Sequence, residues 1–254
     1  MNIIKKFVYD NVVPMVGSLM KGKNKYINVI YYHDIVAGEG NGAQQTNVEM
    51  FKKQMEYIAE KGYKTITFDD IENGEDISFK DKYVLITFDD GWRSNYSEIF
   101  DFMKEKNIKY NIFLAVGEIS NNPDYLTWEQ VRDMHNSGLV GFGAHTYSHV
   151  SMKDIDEVDT QKEIEEANNI IFNEIGFYPI DFCYPYGQFT EDSNTFLLEN
   201  TKYKRIYTSE HDFSYNVGEK IVFGRSSINS AESFKTFVNK LNGKYNAFNT
   251  VRGK

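Results

Sequence analysis

Eight apolar runs rich in β-branched and aromatic residues recur along the 254-residue chain, and the segments between them carry helical periodicity. That alternation is the strongest constraint on the fold. It is the pattern of parallel strands joined by crossover helices, because a parallel neighbour lies beyond the reach of a tight turn. Strands are expected at 28–33, 64–68, 83–89, 110–116, 139–145, 180–184, 205–209 and 221–224. Thr46-x-x-Glu49, Thr127-x-x-Gln130 and Thr160-x-x-Glu163 each fit a capping box, so a helix is expected to start at each. Phe51, Met55, Ile58 and Ala59 share one helical face, which Gly62 should terminate. Together these features predict an α/β chain forming a closed or nearly closed (β/α) barrel, although an open doubly wound sheet shares the pattern.

The polar end after Lys240 is expected to fray. No repeat or linker divides residues 27–254, and residues 1–26 read as a separate amphipathic segment. Lys5 and Lys6 precede a patchy apolar stretch that Pro14 and Gly17 interrupt and that no cleavage pattern follows. It reads either as a helix covering one end of the barrel or as a peripheral membrane contact through residues 1–20. A cytoplasmic or peripheral membrane location is therefore expected over secretion.

A net charge of −9 and no basic block interleaved with aromatics oppose nucleic acid as a partner. Cys183 is the single cysteine, which excludes a disulfide framework and a cysteine-rich zinc site. A metal would have to use histidine and carboxylate.

Two segments supply them. In Thr87-Phe88-Asp89-Asp90-Gly91 an apolar strand runs into adjacent carboxylates that repel unless a cation neutralises one and leaves the other free as a base. The bland alternative is a solvated Asp-Gly turn. In His145-Thr146-Tyr147-Ser148-His149 two imidazoles follow another strand four residues apart, a donor set that with one carboxylate leaves coordination positions open. Alone, such a pair is commonly incidental; beside two aspartates it is not.

These two motifs resemble the first two of the polysaccharide deacetylases, the carbohydrate esterase group with the NodB-homology domain. Phe182-Cys183-Tyr184-Pro185-Tyr186-Gly187 resembles the third, with Cys183 where much of the family has arginine. The resemblance spans roughly residues 28–229. It implies a distorted (β/α) barrel of about seven or eight mostly parallel strands. It also implies a metal-dependent hydrolase removing N-acetyl groups from N-acetylhexosamine units of a poly- or oligosaccharide or lipid-linked glycan. Carried over by position, the resemblance makes Asp89 the general base and Asp90, His145 and His149 the metal ligands. It makes the Tyr186 backbone N–H an oxyanion donor, and zinc is the expected ion, with cobalt, nickel or iron as alternatives.

The family's late Leu-x-His motif has no evident counterpart here, where Phe223-Gly224-Arg225-Ser226-Ser227-Ile228 stands instead. Tyr31-Tyr32-His33-Asp34 resembles the arrangement of poly-N-acetylglucosamine deacetylases whose acid comes from the early strand, which makes His33 the expected general acid. Arg225 reads as a surface ion pair, or else as the group replacing the absent arginine beside Asp89. Trp92, Tyr184 and Trp128 are candidate sugar-stacking faces, with core packing the default for aromatics. His135 and His211 read as structural or solvated. The alternatives are a small-molecule amide or cyclic-imide hydrolase and a catalytically silent carbohydrate-binding domain.

Overall fold

The computed structural model describes residues 3–40, 42 and 44–248. Its strands are β1 (Asn28–Tyr32), β2 (Asp34–Val36), β3 (Gln45–Asn47), β4 (Lys64–Thr65), β5 (Tyr83–Phe88), β6 (Tyr110–Leu114), β7 (Val140–Ala144), β8 (Asp181–Cys183), β9 (Arg205–Tyr207), β10 (Tyr215–Val217), β11 (Lys220–Phe223) and β12 (Ser226–Ser227). The main sheet runs β10-β11-β9-β8-β7-β6-β5-β1-β12, with the short β4 paired to the start of β5. All pairings are parallel except the β10–β11 hairpin. The main sheet has ten strands because β10 and the two-residue β12 join the eight expected ones, and β2 and β3 pair apart from it.

The sheet closes through β11 and β12. They lie near opposite ends of the sheet path, yet only Gly224 and Arg225 separate them in the chain. Residues 220–227 therefore pair first with β9 and then with β1. This crossing draws the two ends of the sheet together into a distorted barrel whose seam holds Arg225.

Strand alternation sorts the core into two layers, since successive side chains point to opposite faces. Val29, Leu85, Phe113, Cys183, Tyr207 and Phe223 form the inner cluster. Ile30, Ile86, Phe88 and Ile112 face outward and pack with helix residues such as Phe51, Met55, Met134 and Ile171. The same period puts Thr87 and Asp89 on the inner side with Leu85, two residues apart each time. Near the base, Arg205 makes two hydrogen bonds of 2.6 Å to the buried Asp181 and one of 2.7 Å to Glu72.

Thr127 and Gln130 form the expected capping box of the helix Trp128–Asn136. Thr46 does not cap the first barrel helix: it lies in β3, and Asn47 accepts from the Met50 N–H at the start of Val48–Glu60. On that helix Phe51, Met55 and Ile58 are buried but Ala59 is exposed, and Gln54 takes an inner place by accepting from the Tyr32 hydroxyl at 2.8 Å. The Thr160 box is absent because Asp156 caps one turn earlier, giving a helix over Glu157–Ile175. The strand expected at 64–68 stops at Thr65, where Thr67 and Asp70 box the start of the helix Phe68–Glu72. The fraying expected after Lys240 does not occur through residue 248, since Leu241, Tyr245 and Ala247 are buried; residues 249–254 lie outside the described residues.

Candidate metal centre and active site

At the C-terminal end of β5 the chain turns sharply: Asp90 has φ 75° and Gly91 φ 87°. A Cβ on Gly91 would lie 2.9 Å from Ile119 and 3.1 Å from Leu114, so glycine serves both the left-handed backbone and the close approach. The turn carries Asp90 toward the end of β7, where Thr146 and His149 also adopt left-handed backbone, φ 64° and 56°. Non-glycine residues pay for such conformations, and they concentrate at functional sites.

Asp90 Oδ1 lies 3.4 Å from His145 Nε2 and 3.1 Å from His149 Nε2. His145 Nδ1 is 2.7 Å from the Cys183 carbonyl oxygen. A carbonyl can only accept, so this bond puts the proton of a neutral ring on Nδ1 and leaves Nε2 bare. Asp90 Oδ1 is buried without a hydrogen-bond partner. Carboxylate oxygen and imidazole nitrogen thus converge with unshared electron pairs, an arrangement a divalent cation satisfies. Burial works to raise the Asp90 carboxyl, but the two imidazoles beside it hold it well below the usual carboxylate range. His149 shows the converse: burial lowers its imidazole, and Asp90 outweighs that to raise it.

Each of these candidate ligands has an outer support. The Trp92 indole N–H donates to Asp90 Oδ2 at 2.9 Å and so leaves Oδ1 to face the histidines. Glu163, on the helix behind the His145–His149 turn, accepts from the backbone N–H groups of Tyr147 and Ser148 at 3.0 and 2.8 Å, and from the Ser148 hydroxyl at 2.7 Å. The carbonyls of the same turn accept from the Val116 and Gly117 N–H groups at 3.2 and 2.7 Å.

Asp89 sits beside this cluster, buried and clamped by Arg225. Its oxygens accept from Nη1 at 2.7 Å and Nη2 at 2.8 Å. The remaining guanidinium donors go to Thr87 Oγ1, Cys183 Sγ and the Thr208 carbonyl oxygen, so all five N–H groups are engaged. The reading of Arg225 as a surface ion pair is therefore wrong: it is fully buried, its guanidinium 4.2 Å above the Tyr31 ring. Burial pushes the Asp89 carboxyl up, but Arg225 outweighs this and keeps it below its ordinary value. Burial also raises the Cys183 thiol well above its usual range, which favours the neutral thiol that packs here.

His33, just past β1, brings Nε2 to 3.9 Å from Asp89 Oδ2. Asn95 fixes its backbone by donating to the His33 carbonyl oxygen at 3.0 Å. Tyr186 adopts φ 59° and is 57% exposed, its ring centroid 4.7 Å from that of His149. Sequence order thus disperses His33, Asp89, Asp90, His145, His149 and Tyr186, and the strand ends bring them to one mouth.

The three candidate stacking residues separate. Trp92 stays at the mouth, stacked on Tyr125 with centroids 4.6 Å apart. Tyr184 is not available to a sugar: it is buried, and its hydroxyl donates to Asn194 at 2.8 Å. Trp128 is half-buried and packs against the core. Sequence reading passed over Glu163, placing it in a helix cap, and gave no role to the Asp181–Arg205 pair.

The polysaccharide deacetylase family profile matches residues 76–205, a span that carries the aspartate pair, both histidines and Tyr186. The chain belongs to the polysaccharide deacetylase family. Among its relatives, the YxkH protein of Bacillus subtilis is 27% identical over 184 residues, covering 72% of this chain and 64% of that protein. The peptidoglycan-N-acetylglucosamine deacetylase of Bacillus cereus is 30% identical over 117 residues, 46% of this chain and 40% of the relative. The chain thus spans less than two thirds of the length of these relatives. The solved structure of the Streptococcus pyogenes deacetylase PplD shares the fold with a TM-score of 0.75 at 18% identity, over 86% of this chain and 99% of that one. In this member of the family the fold agrees with the barrel expected from the sequence.

Proposed function

We propose that the chain hydrolyses the acetamide of N-acetylglucosamine units in a poly- or oligosaccharide, with a divalent ion, zinc first, held by Asp90, His145 and His149. The observation that carries this reading is the buried, partnerless Asp90 Oδ1 facing two imidazole nitrogens, directly beside a second carboxylate held ionised by Arg225. The substrate class is supported by family membership and by the peptidoglycan relative.

A divalent ion in this donor set supplies the Lewis acidity that polarises an amide carbonyl and acidifies water. Asp89 then acts as the base. Its buried carboxylate takes the proton of the attacking water, and Arg225 prevents it from arriving already protonated. Negative charge grows on the acetyl oxygen as the carbon becomes tetrahedral, and the Tyr186 N–H, on its left-handed backbone, is assigned to receive it. The C–N bond breaks once the amine gains a proton. His33 is assigned that donation, because it lies at the same mouth beside Asp89 and outside the ligand set. Acetate and a free amino sugar leave.

The test is acetate release from N-acetylglucosamine oligomers by the full chain supplied with zinc or cobalt. Asp89→Asn is expected to lower turnover by about 10²–10⁴-fold. His33→Ala is expected to slow oligomers with a poor amine leaving group more than an activated acetanilide. Wild-type silence with every metal and glycan would sink the hydrolase reading, and an undiminished His33→Ala enzyme would sink the acid assignment alone.

A further inference from the structure

The N-terminal helical segment, residues 3–19, carries apolar residues on two opposite faces. One face is docked. Tyr9 packs on Tyr245 and Phe248 with centroids 4.9 and 5.6 Å away, and its backbone carbonyl accepts from the Tyr245 hydroxyl at 3.1 Å. Val13, Pro14 and Gly17 are buried on the same side. Gly17 lies so close that a Cβ there would meet the Lys244 carbonyl oxygen at 1.9 Å.

The other face has no such partner among the described residues. Val8, Val12, Met15 and Leu19 follow one another at intervals of four, three and four residues, the spacing that stacks side chains along one side of a helix. Met15 is 59% and Leu19 83% exposed, Val8 and Val12 are half-buried, and Phe7, at the start of the stripe, is 61% exposed. A helix covering a barrel needs one apolar face; the second has no role in that packing. The expectation that the segment either covers the barrel or meets a membrane therefore opposed two uses that opposite faces can serve together.

Charge indicates the occupant. Lys5 and Lys6 precede the stripe and Lys21, Lys23 and Lys25 follow it, against Asp10 alone. The first 25 residues thus carry +4, whereas the rest of the chain carries −13. An acidic body is repelled by an anionic surface unless its cations are gathered where contact occurs, and here they bracket the exposed apolar stripe. A second copy of the chain is the poorer fit, since stripes packed against each other in antiparallel fashion would bring the two lysine groups together. No helix among the described residues is long and apolar enough to span a bilayer. We propose that the outer face of residues 3–19 lies in the headgroup region of an anionic phospholipid bilayer, holding the barrel at the membrane surface. This inference is independent of the chemistry assigned to the mouth.

The test is sedimentation of the full chain with vesicles of phosphatidylcholine alone or mixed with phosphatidylglycerol. Binding to the anionic vesicles should exceed that to the neutral ones by about tenfold or more and weaken with salt. The triple variant Phe7→Ser/Met15→Ser/Leu19→Ser replaces exposed side chains only, so its far-ultraviolet circular dichroism should match wild type while partitioning falls by about tenfold. Lys5→Glu/Lys6→Glu should weaken binding to anionic vesicles and leave the neutral background unchanged. Equal or absent binding to both vesicle types overturns the proposal, as does a triple variant that binds like wild type. A wild-type dimer that the triple variant converts to monomer, without vesicle binding, assigns the face to a second copy instead.

Discussion

Replacing Glu163 by alanine should loosen the proposed metal centre without touching any of its three candidate ligands. Its carboxylate makes three hydrogen bonds to the turn that carries His149, and that turn holds Thr146 and His149 at positive φ. Left-handed backbone at non-glycine residues costs on the order of 1–3 kcal/mol each. If losing the clamp lets the turn relax by about 2 kcal/mol, the binding-competent fraction falls to roughly one thirtieth and the apparent Kd rises about 30-fold. The helix itself should not suffer, because alanine is the best helix former. Glu163→Gln is the informative companion, as its amide oxygen can still accept from both N–H groups and the Ser148 hydroxyl can reverse its role. The measurement is a Co²⁺ titration of the full chain followed by visible absorption, with chelator competition and circular dichroism of each metal-free protein. Wild type without Co²⁺ affinity would refute the metal site itself. Glu163→Ala binding within about twofold of wild type would refute the strained-turn reasoning, and so would Glu163→Gln binding as weakly as alanine.

Two further outcomes follow from buried charge. Arg225→Met strips Asp89 of its counter-charge in the interior, so it should cost about 3–5 kcal/mol in urea unfolding, with Arg225→Lys recovering only part, since a lysine cannot reproduce the two-pronged grip; unchanged unfolding would contradict the burial found here. His211 is held neutral by burial and then by the charge of Lys240, which push its imidazole down from 6.5 to about 3. Between those values the unfolded chain takes up a proton that the folded one refuses, so this contribution is complete above about pH 6.5 and is lost as pH falls toward 3. Denaturant unfolding at pH 7 and pH 4.5 should show a smaller loss on acidification for His211→Asn than for wild type, and equal losses would refute the assignment.

Much of this site was legible because its residues lie next to strand ends in the sequence. Asp89 and Asp90 close one apolar run and His145 closes another, so once the runs are read as parallel strands their ends must share a rim. What escaped was contact across the sequence. Glu163 stands three residues after a threonine, which imitates a cap, and only the packing of its helix behind the histidine turn reveals its bonds. Arg225 looked like a surface residue because nothing local shows that its strand changes partners. Tyr184 failed as a sugar platform for a simple reason: in a chain this rich in aromatics, most rings fill the interior.

The crossing strand at the barrel seam ties the chemistry to completion of folding. Arg225 reaches Asp89 only when residues 220–227 bridge β9 and β1, a contact between segments separated by nearly the whole barrel sequence. Such distant pairings are intrinsically slow to form. A chain that has built every strand but left the seam open still has its aspartates and histidines in order along the rim. It lacks the cation that keeps the buried Asp89 carboxylate ionised. On the proposed mechanism only the finished barrel is equipped to catalyse, so misassembled copies would carry an inactive site without any separate device to silence them.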